Sequence, residues 1–312
     1  MLKIMITGAS GFVGTSLCNK LSSLGIQFSE VVRKKVTQAQ FEIDELSGQT
    51  DWSKALTDCD VIIHLAARVH VMKDKSDDPL AAFRAVNVDA TLNLAKQALR
   101  CGVKRFIYVS SVKVNGEETT SKSFTAFDAS VPIDPYGQSK LEAEIGLKVL
   151  LYQSGLELVI IRPPLVYGPG VRANFLKLMQ LVKMGVPLPL GLIHNKRSMV
   201  ALDNLIDLLV TCVHHPAAAG QIFMVSDDHD VSISELLHLL ASAMNKRSRL
   251  LPVPAWMIAG AATLMGKSAS ANRLLGSLQV DISHTKSTLG WQPVVSMPDA
   301  LRKTVEHFLA QH

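Results

Sequence analysis

Tyr136 and Lys140 lie four residues apart in a segment that Pro135 opens as a helix, so their side chains share one helix face. A phenol is a poor acid or base at neutral pH, with a free pKa of ~10. A neighbouring ammonium favours the phenolate and draws that pKa down. An apolar strand pattern over residues 105–110 ends in Tyr108-Val109-Ser110-Ser111. A hydroxyl at such a strand end, Ser111, can hold a carbonyl or hydroxyl oxygen beside the tyrosine. A Tyr-x-x-x-Lys spacing alone occurs on many helices, so its meaning depends on the elements around it.

The chain opens on an apolar strand pattern (Leu2, Ile4, Ile6), followed by Thr7-Gly8-Ala9-Ser10-Gly11-Phe12-Val13-Gly14 and an amphipathic stretch with Leu17 and Leu21. Gly8 permits the tight turn, Gly11 lets backbone approach a pyrophosphate, and Gly14 lets helix and sheet pack closely. The helix N-terminus offers free N–H groups to phosphates. This is a dinucleotide-binding opening, and with it Ser111, Tyr136 and Lys140 form a hydride-transfer set. Tyr136 moves the proton, and a nicotinamide takes or gives the hydride. Lys140 can also hydrogen-bond the nicotinamide ribose.

Further along, residues 26–33 read as a second strand ending Val31-Val32-Arg33-Lys34-Lys35, with no acid at its tip. Arg33 suits a 2′-phosphate, so NADP(H) is the expected cofactor, with NAD(H) as the other choice. Asp44 or Glu45, near the end of a third strand at 41–46, can meet the adenine amino group. Asp51 is expected to open a short helix. Residues 61–67 are a continuous apolar strand, as a buried parallel sheet requires, with small Ala66 and Ala67 at its end. His64 reads as a core histidine and His70 as a loop residue near substrate. Residues 79–100 pattern as one long helix carrying Asn87, which reads as a surface residue. Another strand spans 156–162.

This alternation predicts an α/β fold: a doubly wound parallel Rossmann sheet over 1–165, with a return of the chain near 196–226. A smaller, mostly helical substrate lobe is expected over 166–312. Its helices fall at 174–184, 203–214, 232–244, 255–265 and 297–310, with a strand at 221–226.

The 312 residues carry a net charge of +5, scattered without a long basic run or aromatic interleaving. That favours small anionic ligands over nucleic acid. Cys18, Cys59, Cys101 and Cys212 are far apart, which implies neither a disulfide framework nor a metal site. They read as buried thiols, and the chain as cytoplasmic. The longest apolar stretch, 253–265, falls short of the ~20 residues that span a bilayer. It reads as a core helix, with membrane contact as its other use.

Several segments in combination resemble the extended short-chain dehydrogenases/reductases of the nucleotide-sugar epimerase/dehydratase family. They are the glycine turn, His64-Leu65-Ala66-Ala67, Asn87, Tyr108-Val109-Ser110-Ser111, Tyr136-Gly137-Gln138-Ser139-Lys140, Arg162-Pro163-Pro164-Leu165-Val166-Tyr167-Gly168-Pro169-Gly170, Leu289-Gly290-Trp291 and Pro293. The resemblance implies catalysis by Ser111, Tyr136 and Lys140. It implies cofactor contacts from Gly8, Gly11, Phe12, Val13, Arg33, Leu65, Ala66, Asn87, Ser110, Tyr136, Lys140 and Pro163. It implies Ser111, Asn174, Phe175, Arg197 and Arg273 toward the nucleotide diphosphate sugar. It also implies a homodimer joined through the helices at 79–100 and 135–154.

Departures from the family pattern narrow the reaction. Ser111-Val112-Lys113 stands where the family's dehydratases carry Thr-Asp-Glu, which argues against loss of water. Val112 replaces the cysteine of the members that epimerise at C3 and C5. Val114-Asn115-Gly116 stands in place of Val-Tyr-Gly. The first expectation is NADPH-dependent reduction of a UDP-linked 4-keto-6-deoxy, N-acetylated hexulose for surface polysaccharide. The second is an NAD-dependent UDP-hexose 4-epimerase. The third, from another class, is a cofactor-sensing protein without turnover.

Overall fold

A computed structural model of the protein describes residues 2–37, 40–69 and 78–311. Seven parallel strands form one sheet in the order β3-β2-β1-β4-β5-β6-β9. They are β1 (Ile4–Thr7), β2 (Phe28–Val32), β3 (Gln40–Glu42), β4 (Val61–His64), β5 (Arg105–Val109), β6 (Glu157–Arg162) and β9 (Ile222–Met224). Every residue of β1 and β4 is buried, because helices cover both faces of the sheet. Side chains alternate between those faces. Ile4 and Ile6 join one core with α1 (Phe12–Ser23) and α6 (Leu202–His214). Met5 joins the other with α3 (Ala90–Arg100) and α4 (Pro135–Leu151).

Two further strands, β7 (Leu165–Tyr167) and β8 (Met199–Ala201), pair in a separate small sheet. Around them lie α5 (Ala173–Met184), α7 (Ile233–Ala243) and α11 (Met297–Gln311). These share a second core of Tyr167, Phe175, Met179, Leu237, Leu240, Leu301 and Phe308. Ser232 and Glu235 cap α7 reciprocally, as a capping box does. The segment that precedes α11 does not stay in this lobe. Leu278, Val280, Ile282, Leu289 and Trp291 pack on the α1–α6 face of the main sheet.

Four sequence expectations need correction. The segment after Asp51 forms turns rather than a helix: Trp52 is fully buried, and Asp58 takes a left-handed φ of 56°. The long helix at 79–100 is interrupted. After α2 (Pro79–Arg84), a π-helical turn (Ala85–Asp89) precedes α3. Cys101 is exposed, because α3 has already ended there; Cys18, Cys59 and Cys212 are buried. The apolar segment near 253–265 forms α8 (Ala255–Leu264), in which only Ala262 is buried. It is a surface helix packed along α9 (Ser268–Leu275), not a core helix.

Candidate active site

Because all seven strands run the same way, their C-terminal ends open onto one edge of the sheet, where such folds bind ligands. Gly8 follows β1, Arg33 follows β2, Leu65 and Ala66 follow β4, Ser110 and Ser111 follow β5, and Pro163 follows β6. Separate loops thus bring most of the expected residues to one edge.

The glycine turn is built for close approach. Gly8 has a φ of 69°, and a Cβ there would stand 2.8 Å from the Ala66 backbone nitrogen. At Gly14 a Cβ would stand 2.2 Å from the Gly8 carbonyl oxygen, which no side chain tolerates. Gly11 differs, since a Cβ there would meet only the Gly8 oxygen at 3.1 Å and otherwise enter open space. Gly11 caps α1 without a side-chain hydrogen bond, and the first turn holds no acidic residue. Its amides are therefore left for an external anion, and the turn fits a dinucleotide pyrophosphate. Phe12 packs against the α1–α6 core and against the core around β7 and β8, and Val13 against the former. The Ser110 hydroxyl is buried at the same edge with no protein hydrogen-bond partner, a polar handle for a bound group.

Around β4 the backbone is fixed by side chains. Thr7 Oγ1 and His64 Nδ1 are 2.6 Å apart, and His64 Nε2 lies 2.9 Å from Thr91 Oγ1. Burial, with a smaller push from the Lys140 charge, lowers the His64 pKa to about 3, so the ring is neutral, a core histidine as its strand position suggests. The Ala66 amide donates to Thr7 Oγ1 at 3.3 Å.

Asn87 is not a surface residue. It is 1 % exposed and sits in the π turn. Its Oδ1 accepts from the Arg68 amide at 2.8 Å, and its Nδ2 donates to the Arg68 carbonyl at 3.0 Å and to Ser139 Oγ at 2.9 Å. Ser139 Oγ in turn donates to the Tyr136 carbonyl at 2.8 Å. Asn87 therefore joins the loop after β4 to the helix that carries Tyr136 and Lys140.

Asp134 caps α4 by accepting the Gly137 amide at 2.7 Å. Its other oxygen pairs with the Lys113 ammonium, which also meets Glu117 at 2.7 Å. Lys113 belongs to a short 3-10 turn (Val112–Val114) capped by Ser111. The turn with Ser111 is thus clamped to the start of the helix with Tyr136. The Val112 amide donates to the Pro163 carbonyl at 3.0 Å, which holds the turn against β6.

The electrostatics differ from the sequence expectation. Burial, then the Asp134 charge, raises the Tyr136 pKa to about 12, while a hydrogen bond with Ser111 pulls it down. The Lys140 ammonium does not meet the phenol. It donates to the Val109 carbonyl at 2.9 Å and lies 4.6 Å from the centre of the Tyr108 ring. Burial lowers the Lys140 pKa to about 7, and the Glu144 carboxylate opposes that shift.

Glu144 was not signalled by any motif, although it lies one further turn along the same face of α4. It binds Arg162 at the end of β6, and Arg162 Nη1 donates to Asn115 Oδ1 at 3.1 Å.

Of the residues expected at substrate, Asn174 is exposed in the first turn of α5. Phe175 is a core ring, 1 % exposed and stacked on Tyr167 at 5.5 Å, so any contact from it comes through its backbone. Arg197 Nη1 donates to the carbonyls of Arg273 and Gly276, at 2.8 and 3.0 Å, at the C-terminal end of α9. The Arg273 guanidinium lies 3.6 Å from Glu117. Arg197 is thus already tied to the end of α9, and Arg273 to Glu117, just beyond the 3-10 turn. Arg33, Asp44 and Glu45 are exposed. His70 lies outside the described residues.

Comparison with known proteins agrees with this geometry. Residues 4–226 match the NAD dependent epimerase/dehydratase family. A UDP-glucose 4-epimerase of Vibrio cholerae is 49 % identical, over 98 % of this chain and 95 % of its own length. An N-acetyl-alpha-D-glucosaminyl-diphospho-ditrans,octacis-undecaprenol 4-epimerase of Escherichia coli O157:H7 is 28 % identical over 82 % of this chain and 77 % of its own. Among solved structures, UDP-glucuronic acid 4-epimerase from Bacillus cereus in complex with NAD superposes with a TM-score of 0.80. It covers 99 % of both chains at 22 % identity, which speaks to the fold. The chain belongs to the NAD dependent epimerase/dehydratase family and is an NAD(P)-dependent enzyme of the short-chain dehydrogenase/reductase type.

Proposed function

We propose that this protein is an NAD-dependent 4-epimerase of a UDP-hexose. The observation that carries the reading is the 49 % identity, over nearly the whole of both chains, to the Vibrio cholerae UDP-glucose 4-epimerase. The reductase expected first from the sequence rested on Arg33, whose side chain is exposed beyond the end of β2, and on a likeness of the sequence at 64–72 to bacterial reductases of UDP-linked sugars. The epimerase reading accounts for the chain without a consumed reductant.

In this reading Gly8, Gly11 and the first turn of α1 hold the pyrophosphate of NAD, and Ser110 and Lys140 face its nicotinamide end. Bound NAD supplies a hydride acceptor at the sugar carbon that returns the hydride later. Ser111 hydrogen-bonds the C4 oxygen and orients it. Tyr136 takes the proton from that oxygen and gives it back. A phenol held near 12 is a weak base when nothing else is bound. Removal of the proton therefore waits for charge brought in by the ligand. Burial holds the Lys140 pKa at about 7, so its charge is one that a bound ligand can shift near neutral pH. Arg197 and Arg273 bind the substrate diphosphate, as guanidinium forks do. Ile145, Val149 and Tyr152 leave an exposed apolar strip along and just beyond α4, and it supports a homodimer paired through α2–α3 and α4.

The test is purified full-length chain with UDP-glucose or UDP-galactose, and separately with the UDP-N-acetylglucosamine and UDP-N-acetylgalactosamine pair, with no reductant added. Interconversion of either pair is the expected result. No interconversion, together with stoichiometric oxidation of NADPH on a UDP-linked 4-keto sugar, would overturn the reading. Arg33→Asp should leave NAD affinity close to wild type.

A further inference from the structure

α8 is an uncharged, apolar helix that the fold leaves outside. Its sequence is Ala255-Trp256-Met257-Ile258-Ala259-Gly260-Ala261-Ala262-Thr263-Leu264. Ile258 reaches the second core, but Trp256 is 74 % exposed and Leu264 is 92 % exposed. Met257, within α8, and Met265 and Leu251, next to its two ends, are also exposed. Scattered exposed apolar residues are normal, whereas a contiguous group of large ones marks a contact surface.

The charge around this helix is one-sided. Residues 236–280 hold Lys246, Arg247, Arg249, Lys267 and Arg273 and no Asp or Glu. That segment alone accounts for the net charge of +5, so the rest of the chain is balanced. Arg273 is tied to Glu117 and the Lys246 ammonium donates to the Lys183 carbonyl, but Lys246, Arg247, Arg249 and Lys267 are all exposed. Arg247 and Arg249 stand just before the chain enters α8, and Lys267 stands just after it leaves. Cations beside an exposed apolar segment are drawn to anionic headgroups, and an exposed tryptophan favours the membrane–water interface. A second copy of the chain, meeting this patch across a two-fold axis, would set cations against cations. With ten residues, α8 is too short to cross a bilayer, and no helix of the described residues is long and apolar enough to do so.

We propose that α8, with Leu251 and Met265, lies in the surface of a phospholipid bilayer rich in anionic headgroups. Trp256 and Leu264 enter the interface, and Lys246, Arg247, Arg249 and Lys267 meet the headgroups. The inference does not depend on the reaction the enzyme performs.

The experiment is flotation of the full chain with vesicles of phosphatidylcholine alone, or of phosphatidylcholine with a third phosphatidylglycerol. Binding to the anionic vesicles is expected to be about tenfold or more stronger, given several cations near the surface. Trp52 and Trp291 are buried, so a move of tryptophan emission to the blue on binding is expected from Trp256. A Trp256→Ser/Leu264→Ser variant should stop floating while its circular dichroism and enzymatic activity on soluble substrate stay unchanged. Arg249→Glu/Lys267→Glu should lose the preference for anionic vesicles. Failure to float with either vesicle, or equal flotation of the serine variant, overturns the proposal. So does light scattering in which wild type self-associates and the serine variant does not, which would give the face to a second copy.

Discussion

Glu144 grips Arg162 with both carboxylate oxygens, at 3.0 and 2.6 Å, where the two side chains are 0 % and 3 % exposed. The pair fastens α4, with Tyr136 and Lys140 on it, to the end of β6. Removing one partner strands the other charge away from water, a loss of about 3–5 kcal/mol. Glu144→Gln should therefore lower the urea midpoint of unfolding strongly, while the paired Glu144→Leu/Arg162→Met should lose much less.

Tyr136→Phe should reduce turnover by about 10²–10⁴-fold, the usual worth of a positioned acid–base group. The half-buried ring keeps its edge contact with Phe83 without the hydroxyl, so stability should stay near wild type. The checks are a coupled epimerase assay and calorimetric titration with NAD, whose affinity should persist. Full activity in the Phe variant would remove Tyr136 from the mechanism.

The glycines separate stability from binding. Gly14→Ala puts a Cβ 2.2 Å from the Gly8 oxygen, so the packing of α1 on β1 must shift and the protein should unfold at lower temperature. Gly11→Ala meets only one atom at 3.1 Å. It should melt close to wild type and bind NAD at least about tenfold more weakly, since the methyl group fills pyrophosphate space. Thermal melts with and without NAD distinguish the two.

Two buried bases make stability rise with pH. The His64 pKa falls from 6.5 to about 3 on folding, so the unfolded chain takes up a proton in that window and the folded chain does not. Stability is lost as pH drops through it. Lys140 falls from 10.5 to about 7, so between those values the unfolded chain again holds the extra proton and stability climbs with pH. Lys140→Met should flatten the alkaline rise in unfolding free energy, and His64→Gln should flatten the acid fall. Parallel slopes in variants and wild type would contradict both.

The sheet and the first ligand turn were legible because they follow from local rules. Buried parallel strands are continuous apolar runs, and Gly8, Gly11 and Gly14 have spacings with one geometric use. The Tyr136–Lys140 pair was legible as a shared face, but not where the ammonium points. Its partner, the Val109 carbonyl, comes from a strand 31 residues earlier. Asn87 looked like a surface residue because a lone Asn in a helix usually faces solvent, yet it stands four residues after buried Phe83 and three before buried Ala90, on the inward face. The pairing of β7 with β8 escaped notice because each is three residues long. The exposure of α8 escaped because an apolar run without periodicity carries no record of which neighbours will cover it.

The order in which the main sheet is filled bears on how the chain is made. β9 reaches its place beside β6 only at residue 222, and the strip at 278–291 covers the α1–α6 face later still. A nascent chain that has cleared the ribosome as far as residue 165 presents β6 as a bare edge. It also presents an apolar sheet face without α6. Unpaired edges and uncovered faces recruit other chains. Synthesis of this protein therefore has a vulnerable interval, and a truncation at residue 165 is expected to aggregate although it retains the whole glycine turn and the Tyr136 helix.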